Sequence, residues 1–327
     1  MAKTAALELS PFAADVLEGL SNGKQKRIPP RYFYDDLGST LFEAITLLPE
    51  YGLTRADERL LRLNAGELAQ IAGQVSAVAE LGSGSGKKTS HILAALSAHN
   101  EALRYCPIDV SQAALDACAK ELTPLAEVEP VCADWFDGIR QIARSRIDSE
   151  PLLVLFLGST IGNFERSSVP SFLKDLRGVL APGDLFLLGA DLVKDVDRML
   201  LAYDDPTGVT AAFNLNVLAR MNRELDADFD LRSFAHEARW NSGQRCIEMH
   251  LRSYRNQTVH VGALDSSFNF QAGETIWTES SHKFTVDELH RYASSAGFTP
   301  VTTWVDSEWP FAEMLVSVPK SSHRRRS

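Results

Sequence analysis

The sequence predicts an α/β protein built on a doubly wound parallel sheet, with a second, inserted α+β subdomain. Three observations carry that expectation. Apolar runs of strand length alternate with helical patterns from about Val75 onward; the runs are apolar at successive positions; and the first of them ends in a glycine-rich turn. A strand buried on both faces reads as a continuous apolar run, and crossover helices are what cover those faces.

In chain order, "VSAVAEL" is the first strand, followed by a helix through "SHILAALSA". "LRYCPIDVS" and "AALDACAKEL" form the second strand–helix pair, "VEPVCADW" is the third strand, "PLLVLFLGSTIGN" and "VPSFLKDLRGVL" form the fourth pair, and "GDLFLLGADL" is the fifth strand. "FTVDELHRYASSAGF" is a helix with Thr285 as N-cap, Glu288 at the capping-box position and Gly297 just past its end. "FTPVTTWVDSEWPFAEMLVSV" then offers two strands with a polar bend between them, a hairpin that completes the sheet.

Two regions break the alternation: the first 60 or so residues and the stretch from about Asp195 to Ser281, where aromatic, acidic and Asn-rich segments surround strand-like runs such as "CIEMHLRSY". The expected organisation is therefore a substrate-covering subdomain from 1–60 and 195–285, a sheet domain from 61–194 and 286–320, and a disordered basic tail at 321–327.

Composition narrows the function. A formal charge of -10 over 327 residues argues against a general nucleic-acid binder, which needs a basic surface to neutralise phosphates. The four cysteines form no C-x-x-C pair and no His/Cys metal spacing, so reduced thiols and no metal are expected. No apolar run approaches the ~20 residues of a membrane span. A cytoplasmic monomer without membrane or nucleic-acid partners is the expectation.

The turn "AELGSGSGKKT" joins a strand to a helix, where glycines let backbone approach a ligand and the helix start offers free N–H groups. A dinucleotide fingerprint would put its third glycine at Lys87, and the Walker spacing fails as well. What remains is acid–x–Gly–x–Gly–x–Gly, with Glu80, Gly82, Gly84 and Gly86, the first motif of class I S-adenosylmethionine-dependent methyltransferases. Asp109 in "PIDVS" closes the second strand, where a carboxylate can accept ribose hydroxyl protons, and Asp134-Trp135 in "CADWF" close the third, where an acid and a ring can meet adenine. Capping the following helix is the competing role for Asp109.

These strings, together with "RYFYDDLGSTLFEAITLLPEYGLTRADERLL", "LFLGSTIGNFE", "AYDDPTGVTAAFNLNVLARMNRELDADFD" and "AGETIWTESSHKF", resemble the histidine Nα-methyltransferases of ergothioneine biosynthesis, within the wider group of betaine-forming amino-acid methyltransferases. The resemblance runs over nearly the whole chain. It implies S-adenosylmethionine as cofactor, held by Gly82, Gly84, Lys88, Asp109, Asp134 and Trp135, and L-histidine as substrate, held by Tyr51, Asn163, Tyr203, Met249, Glu279 and Ser281. It further implies that Tyr34 closes over the substrate and that Asn163 and Tyr34 are the groups nearest the chemistry. One departure is visible: the family often has a second tyrosine after the one at Tyr51, where this chain reads Gly52.

Glu279 and Ser281 stand on alternate positions, so in an extended segment both point to one face. A carboxylate meeting one imidazole nitrogen and a hydroxyl meeting the other would read both polar atoms of histidine, and an apolar side chain would leave them unpaired at a cost of roughly 1–3 kcal/mol each. Two competing functions are a relative that methylates another amino acid such as tryptophan, and a protein that binds S-adenosylmethionine without turnover.

Overall fold

The computed structural model describes residues 9–146 and 150–320, so the basic tail falls outside the described residues. The chain divides into two compact units, Met1–Gly52 with Asp195–Ser281, and Leu53–Lys194 with His282–Ser327.

The second unit is built on a sheet that is eight-stranded among the described residues, in the order Thr299–Val305, Phe311–Ser317, Leu185–Asp191, Leu152–Phe156, Ala77–Leu81, Arg104–Asp109 and Glu127–Val128, with Val131–Cys132 also pairing Arg104–Asp109. The strands from Leu185–Asp191 to Val131–Cys132 pair in parallel, and the C-terminal hairpin adds two antiparallel strands. Alternation within each strand explains the continuous apolar runs. Ala77, Ala79, Leu81, Val154, Phe156, Phe186 and Leu188 pack into one buried cluster, whereas Val78, Leu153, Leu155, Leu185 and Leu187 pack into another on the opposite face. The helix Val286–Ser295 starts at a complete capping box between Thr285 and Glu288, and Gly297 takes the left-handed conformation at φ 91° beyond its end.

The structure departs from the sequence reading in two places. The third strand is two short pieces, Glu127–Val128 and Val131–Cys132, because Pro130 between them has no N–H to give to the ladder. The chain passes into the sheet unit at Gly52/Leu53 and not near residue 60, and re-enters it at Ser281/His282 and not near 285. The helix Gly52–Ala72 is the reason for the first difference: its Leu61, Leu68, Ala69 and Ala72 belong to the same buried cluster as Val78 and Leu153. Gly52 opens that helix, so the position where the family often has tyrosine is the first helical residue here.

The points where the chain leaves the sheet unit, after Lys194, and re-enters it, at His282, lie beside one buried ion group. Asp191, at the end of its strand, pairs with Lys194 at 2.5 Å and Lys283 at 2.8 Å and accepts the Trp309 indole N–H at 2.9 Å. Asp191 and Lys283 have no exposed surface.

The first unit holds a sheet that is four-stranded among the described residues, in the order Lys26–Arg27, Thr275–His282, Cys246–Ser253 and Phe234–Asn241, together with the hairpin Gln257–Val261 and Ser266–Phe270. The helices Pro11–Ser21, Asp36–Thr46, Val196–Tyr203 and Val209–Leu225 pack in this unit. Val209–Leu225 buries Phe213, Val217, Leu218 and Met221, and it ends where Asp226 turns left-handed at φ 51°. Among the described residues no helix is long and apolar enough to cross a membrane, and no cluster of metal-ligating side chains is found.

Candidate active site

In the sheet unit, strand order reverses between Ala77–Leu81 and Leu152–Phe156, and the crevice at the carboxyl ends of such neighbouring strands is where open α/β sheets take ligands. The glycine turn leaves the first of these strands. Gly82, Gly84 and Gly86 all have positive φ, at 70°, 52° and 69°. A Cβ on Gly86 would stand 2.6 Å from Cys118 Sγ and 2.7 Å from Leu122 Cδ1, so this glycine permits packing. A Cβ on Gly84 would meet nothing within 4 Å, so the space beside it is open and the backbone alone dictates glycine.

Trp135 lies against the same turn, its Nε1 3.5 Å from where a Gly82 Cβ would be, and its ring stacks on Phe164 with centroids 5.7 Å apart. Asp134 caps the helix Trp135–Arg144 by accepting the N–H groups of Phe136 and Asp137 at 2.9 and 3.0 Å. These bonds to Asp137 and Phe136 hold its carboxyl below the ordinary range. The next helix, Gln112–Leu122, is capped by Ser111, while Asp109 Oδ1 accepts the Ser111 N–H at 2.9 Å. Asp109 is therefore turned by its own backbone at the strand end, and the cap belongs to Ser111.

Open space at Gly84, an indole beside Gly82 and carboxylates at two successive strand ends suit an adenosyl ligand, and Lys88 adds a cation. Lys88 pairs with Asp57, which is fully buried and also accepts the Gly158 N–H at 3.1 Å. Burial pulls the Lys88 ammonium down, but the charge and hydrogen bond of Asp57 lead the contributions that raise it by more, so it stays charged. Neither Asp57 nor Glu313 was found from sequence, because they lie 31 residues before and 225 after Lys88 and only the fold joins them. Glu313 is 1% exposed; desolvation, and then the Asp57 charge, push its carboxyl far up, so it keeps its proton.

Glu80 lies at the base of this group, accepting hydroxyl protons from Thr89 at 2.6 Å and from Tyr105. Desolvation drives its carboxyl up to about 7 against those hydrogen bonds. A buried acid with a raised folded-state value binds its proton more tightly folded than unfolded, so its contribution to stability is present below about pH 4.5 and is lost as pH rises through 7. Glu80→Gln mimics the protonated form. Its stability is expected to exceed that of wild type by under about 1 kcal/mol near pH 5 and by up to about 3 kcal/mol at pH 8, measured by chemical denaturation at both pH values. An equal difference at the two pH values would exclude this titration.

Asn163 ends the short turn Thr160–Asn163 beyond the fourth strand. Left-handed Gly158 and Ser159 bend the chain there, and Ser159 Oγ accepts the Asp191 N–H at 2.8 Å. The His282 Nδ1–H donates to the Gly162 carbonyl at 3.0 Å, fixing the turn one residue before Asn163. His282 is a supporting residue that the sequence reading passed over, although it directly follows Ser281.

In the other unit, the strand Thr275–His282 carries Glu279 and Ser281, 8% and 4% exposed. Ser281 Oγ and the Tyr203 hydroxyl are 2.7 Å apart, and the Tyr51 and Tyr203 rings meet edge to face at 5.9 Å. Met249, 2% exposed, lies on the neighbouring strand Cys246–Ser253, where its carbonyl accepts the Thr278 hydroxyl at 2.9 Å. Tyr34 contacts Phe42 and Phe213 at centroid distances of 5.7 and 5.9 Å. As a whole residue Tyr34 is 44% exposed, yet desolvation at its hydroxyl, then the charge of Glu279 and the Tyr51 and Tyr203 phenols, raise it well above an ordinary tyrosine. This unit thus brings together Tyr34, Tyr51, Tyr203, Glu279 and Ser281, an acid and hydroxyls walled by rings.

A family model of SAM-dependent, histidine-specific methyltransferases matches residues 12–318. The chain belongs to this family. The histidine N-alpha-methyltransferase of Mycobacterium tuberculosis is 44% identical over 306 residues, covering 93% of this chain and 94% of that protein. The enzyme of the same name from Mycolicibacterium smegmatis is 43% identical, covering 92% and 93%. Ergothioneine biosynthesis protein 1 of Neurospora crassa is 30% identical over 85% of this chain, which spans only 32% of that longer protein. As a family member the chain is a class I methyltransferase that uses S-adenosylmethionine, and the open turn at Gly84 is in keeping with that cofactor.

Proposed function

We propose that this histidine-specific methyltransferase adds three methyl groups in succession to the α-nitrogen of L-histidine, giving the trimethylammonium betaine hercynine, the first step of ergothioneine biosynthesis. The observation that carries the reading is the pairing of Glu279 with a Tyr203-bonded Ser281 among three tyrosines. S-adenosylmethionine, when bound, supplies a methyl group on a sulfonium, and positive charge passes to the accepting nitrogen. No strong acid is needed for such a displacement; position and exclusion of water are what the protein contributes.

Glu279 takes one imidazole N–H and the Ser281 hydroxyl meets the other ring nitrogen, with Met249 lining the ring. The Tyr203 bond restricts the rotation of that hydroxyl. Asn163 and Tyr203 hold the α-carboxylate and amine. The amine must shed its proton before each transfer, and Tyr34 is no base for it, since a phenol raised this far remains protonated at neutral pH. Tyr34 and Tyr51 instead present ring faces, which attract a quaternary ammonium that has no N–H left to donate. Gly82, Gly84, Lys88, Asp109, Asp134 and Trp135 hold the cofactor, with the Asp57-paired Lys88 as its fixed cation.

We place the enzyme in a reducing compartment, the cytoplasm, as a monomer; Cys106, Cys118, Cys132 and Cys246 are all free thiols, three of them buried. Mass spectrometry after incubation with S-adenosylmethionine and a panel of amino acids tests the substrate. Histidine is expected to gain three methyl groups and phenylalanine none. Methylation of tryptophan with histidine untouched would overturn the substrate assignment, and no product at all would favour a binding protein.

A further inference from the structure

The first unit contains a hydrogen-bond circuit that runs through His236, Asn214 and Thr278, none of them assigned to substrate, and returns to Tyr203 and Ser281. The Tyr203 carbonyl receives His236 Nε2 at 2.7 Å. His236 Nδ1 meets Asn214 Nδ2 at 2.8 Å, and the same amide nitrogen donates to the His250 carbonyl at 3.1 Å. Asn214 Oδ1 accepts the Thr278 hydroxyl at 2.8 Å. Thr278 precedes Glu279 on its strand, and three residues on Ser281 returns to the Tyr203 hydroxyl at 2.7 Å. The circuit therefore grips Tyr203 at both ends, by its backbone carbonyl and by its phenol.

The Thr278 hydroxyl shares its one hydrogen between Asn214 Oδ1 at 2.8 Å and the Met249 carbonyl at 2.9 Å, and the protons on His236 and Asn214 are fixed by their other partners. A carbonyl only accepts, so Nε2 of His236 carries the hydrogen and Nδ1 is the acceptor. One Asn214 N–H goes to Nδ1 and the other to the His250 carbonyl, which leaves its oxygen for Thr278. The reverse orientation of the Asn214 amide would set Oδ1 against the unprotonated Nδ1 and against a carbonyl. Asn214 has no exposed surface, so water cannot repair a mismatch.

We propose that Asn214 and His236 are positioning residues of the methyltransferase, holding neutral, Nε2–H His236 as the strut that sets Tyr203 relative to Glu279 and Ser281. The proposal rests on the reading that these three residues contact histidine. A second proton on Nδ1 would confront the Asn214 N–H and break the circuit. The charged groups facing the ring are Asp204 and Asp205 from the segment after Tyr203 and Glu237 from its own strand; Asp204 Oδ1 is 4.0 Å from Nε2. Burial outweighs these carboxylates and keeps the imidazolium disfavoured.

Nitrogen-resolved NMR of the imidazoles in the full chain, with His236 identified by loss of its signal in His236→Gln, reads the tautomer directly. The expected result is Nε2–H alone from pH 6 to 9; an Nδ1–H tautomer or an imidazolium at pH 7 would overturn the proposal. Asn214→Asp supplies an acceptor at Nδ1 and is expected to raise the His236 titration above that of wild type. Asn214→Ala is expected to raise KM for histidine about tenfold with the Kd for S-adenosylmethionine, by calorimetry, unchanged. Equal weakening of both would reduce Asn214 to a general folding role and overturn the proposal. If Ser281→Ala and Tyr203→Phe leave KM unchanged while the tautomer is as expected, the substrate reading has failed and the circuit stands.

Discussion

Glu279→Ala is expected to lower kcat/KM for histidine by about two orders of magnitude, with the Kd for S-adenosylmethionine within about twofold of wild type. The asymmetry comes from where the residue lies. Glu279 stands 8% exposed on Thr275–His282, in the unit that holds Tyr34, Tyr51, Tyr203 and Ser281, whereas the glycine turn, Asp109, Asp134, Trp135 and Lys88 all belong to the sheet unit. In the proposed contact, removing the carboxylate would leave the imidazole N–H desolvated without an acceptor, a penalty borne by histidine. Selectivity over phenylalanine should fall with affinity, because phenylalanine has no side-chain N–H to offer a carboxylate. Glu279→Gln keeps an acceptor without the charge, so an intermediate loss is expected. Steady-state kinetics with a panel of amino acids, alongside calorimetric titration of the cofactor, separates the two effects. Cofactor affinity that falls in step with histidine kinetics would show that Glu279 acts through the fold.

What the sequence could disclose depended on distance along the chain. The parallel sheet was legible because each strand is a local apolar run, and the capping box at Thr285 and Glu288 because its partners are three residues apart. The pair Glu279 and Ser281 was legible for the same reason, as period-two neighbours on one strand. Asp57, Glu313, Asn214 and His236 were not, since each is informative only by what it meets in space. Lys88 finds Asp57 across 31 positions, and Thr278 finds Asn214 across 64. Tertiary packing also overrode local cues in the flanks. Leu61, Leu68 and Ala72 look like any amphipathic helix, and nothing local says that their apolar face joins Val78 and Leu153. Gly84 lies between these cases: its spacing marked a ligand turn, but only the structure shows that Gly86 is demanded by Cys118 and Leu122 while Gly84 faces open space.

Asp191→Ala is expected to cost about 3–5 kcal/mol of stability at pH 7, because it leaves buried lysines without their counter-charge. Asp191 and Lys283 have no exposed surface, Lys194 has 3%, and the Lys194 ammonium also lies over the Trp309 ring at 4.8 Å. Burial alone would push the Asp191 carboxyl up, but Lys283 and Lys194 together hold it below the ordinary range. A carboxyl lowered in the folded state contributes stability that is present above its unfolded value and is lost as pH falls through the folded one. The difference between wild type and Asp191→Ala, measured by chemical denaturation, should therefore be full at pH 7 and shrink as pH falls below the ordinary aspartate range. A pH-independent difference would assign the loss to packing around Trp309 instead. Replacing Asp191, Lys194 and Lys283 together by apolar residues of similar size should recover most of the stability, since a desolvated ion group is costly to assemble as well as to break. Such a variant would still lack the charges that tie the end of the Leu185–Asp191 strand to the segment after His282, the two places where the chain leaves and re-enters the sheet unit. Recovered stability with lost methyl transfer would therefore assign the charges a part in activity, whereas recovery of both would leave them a purely structural one.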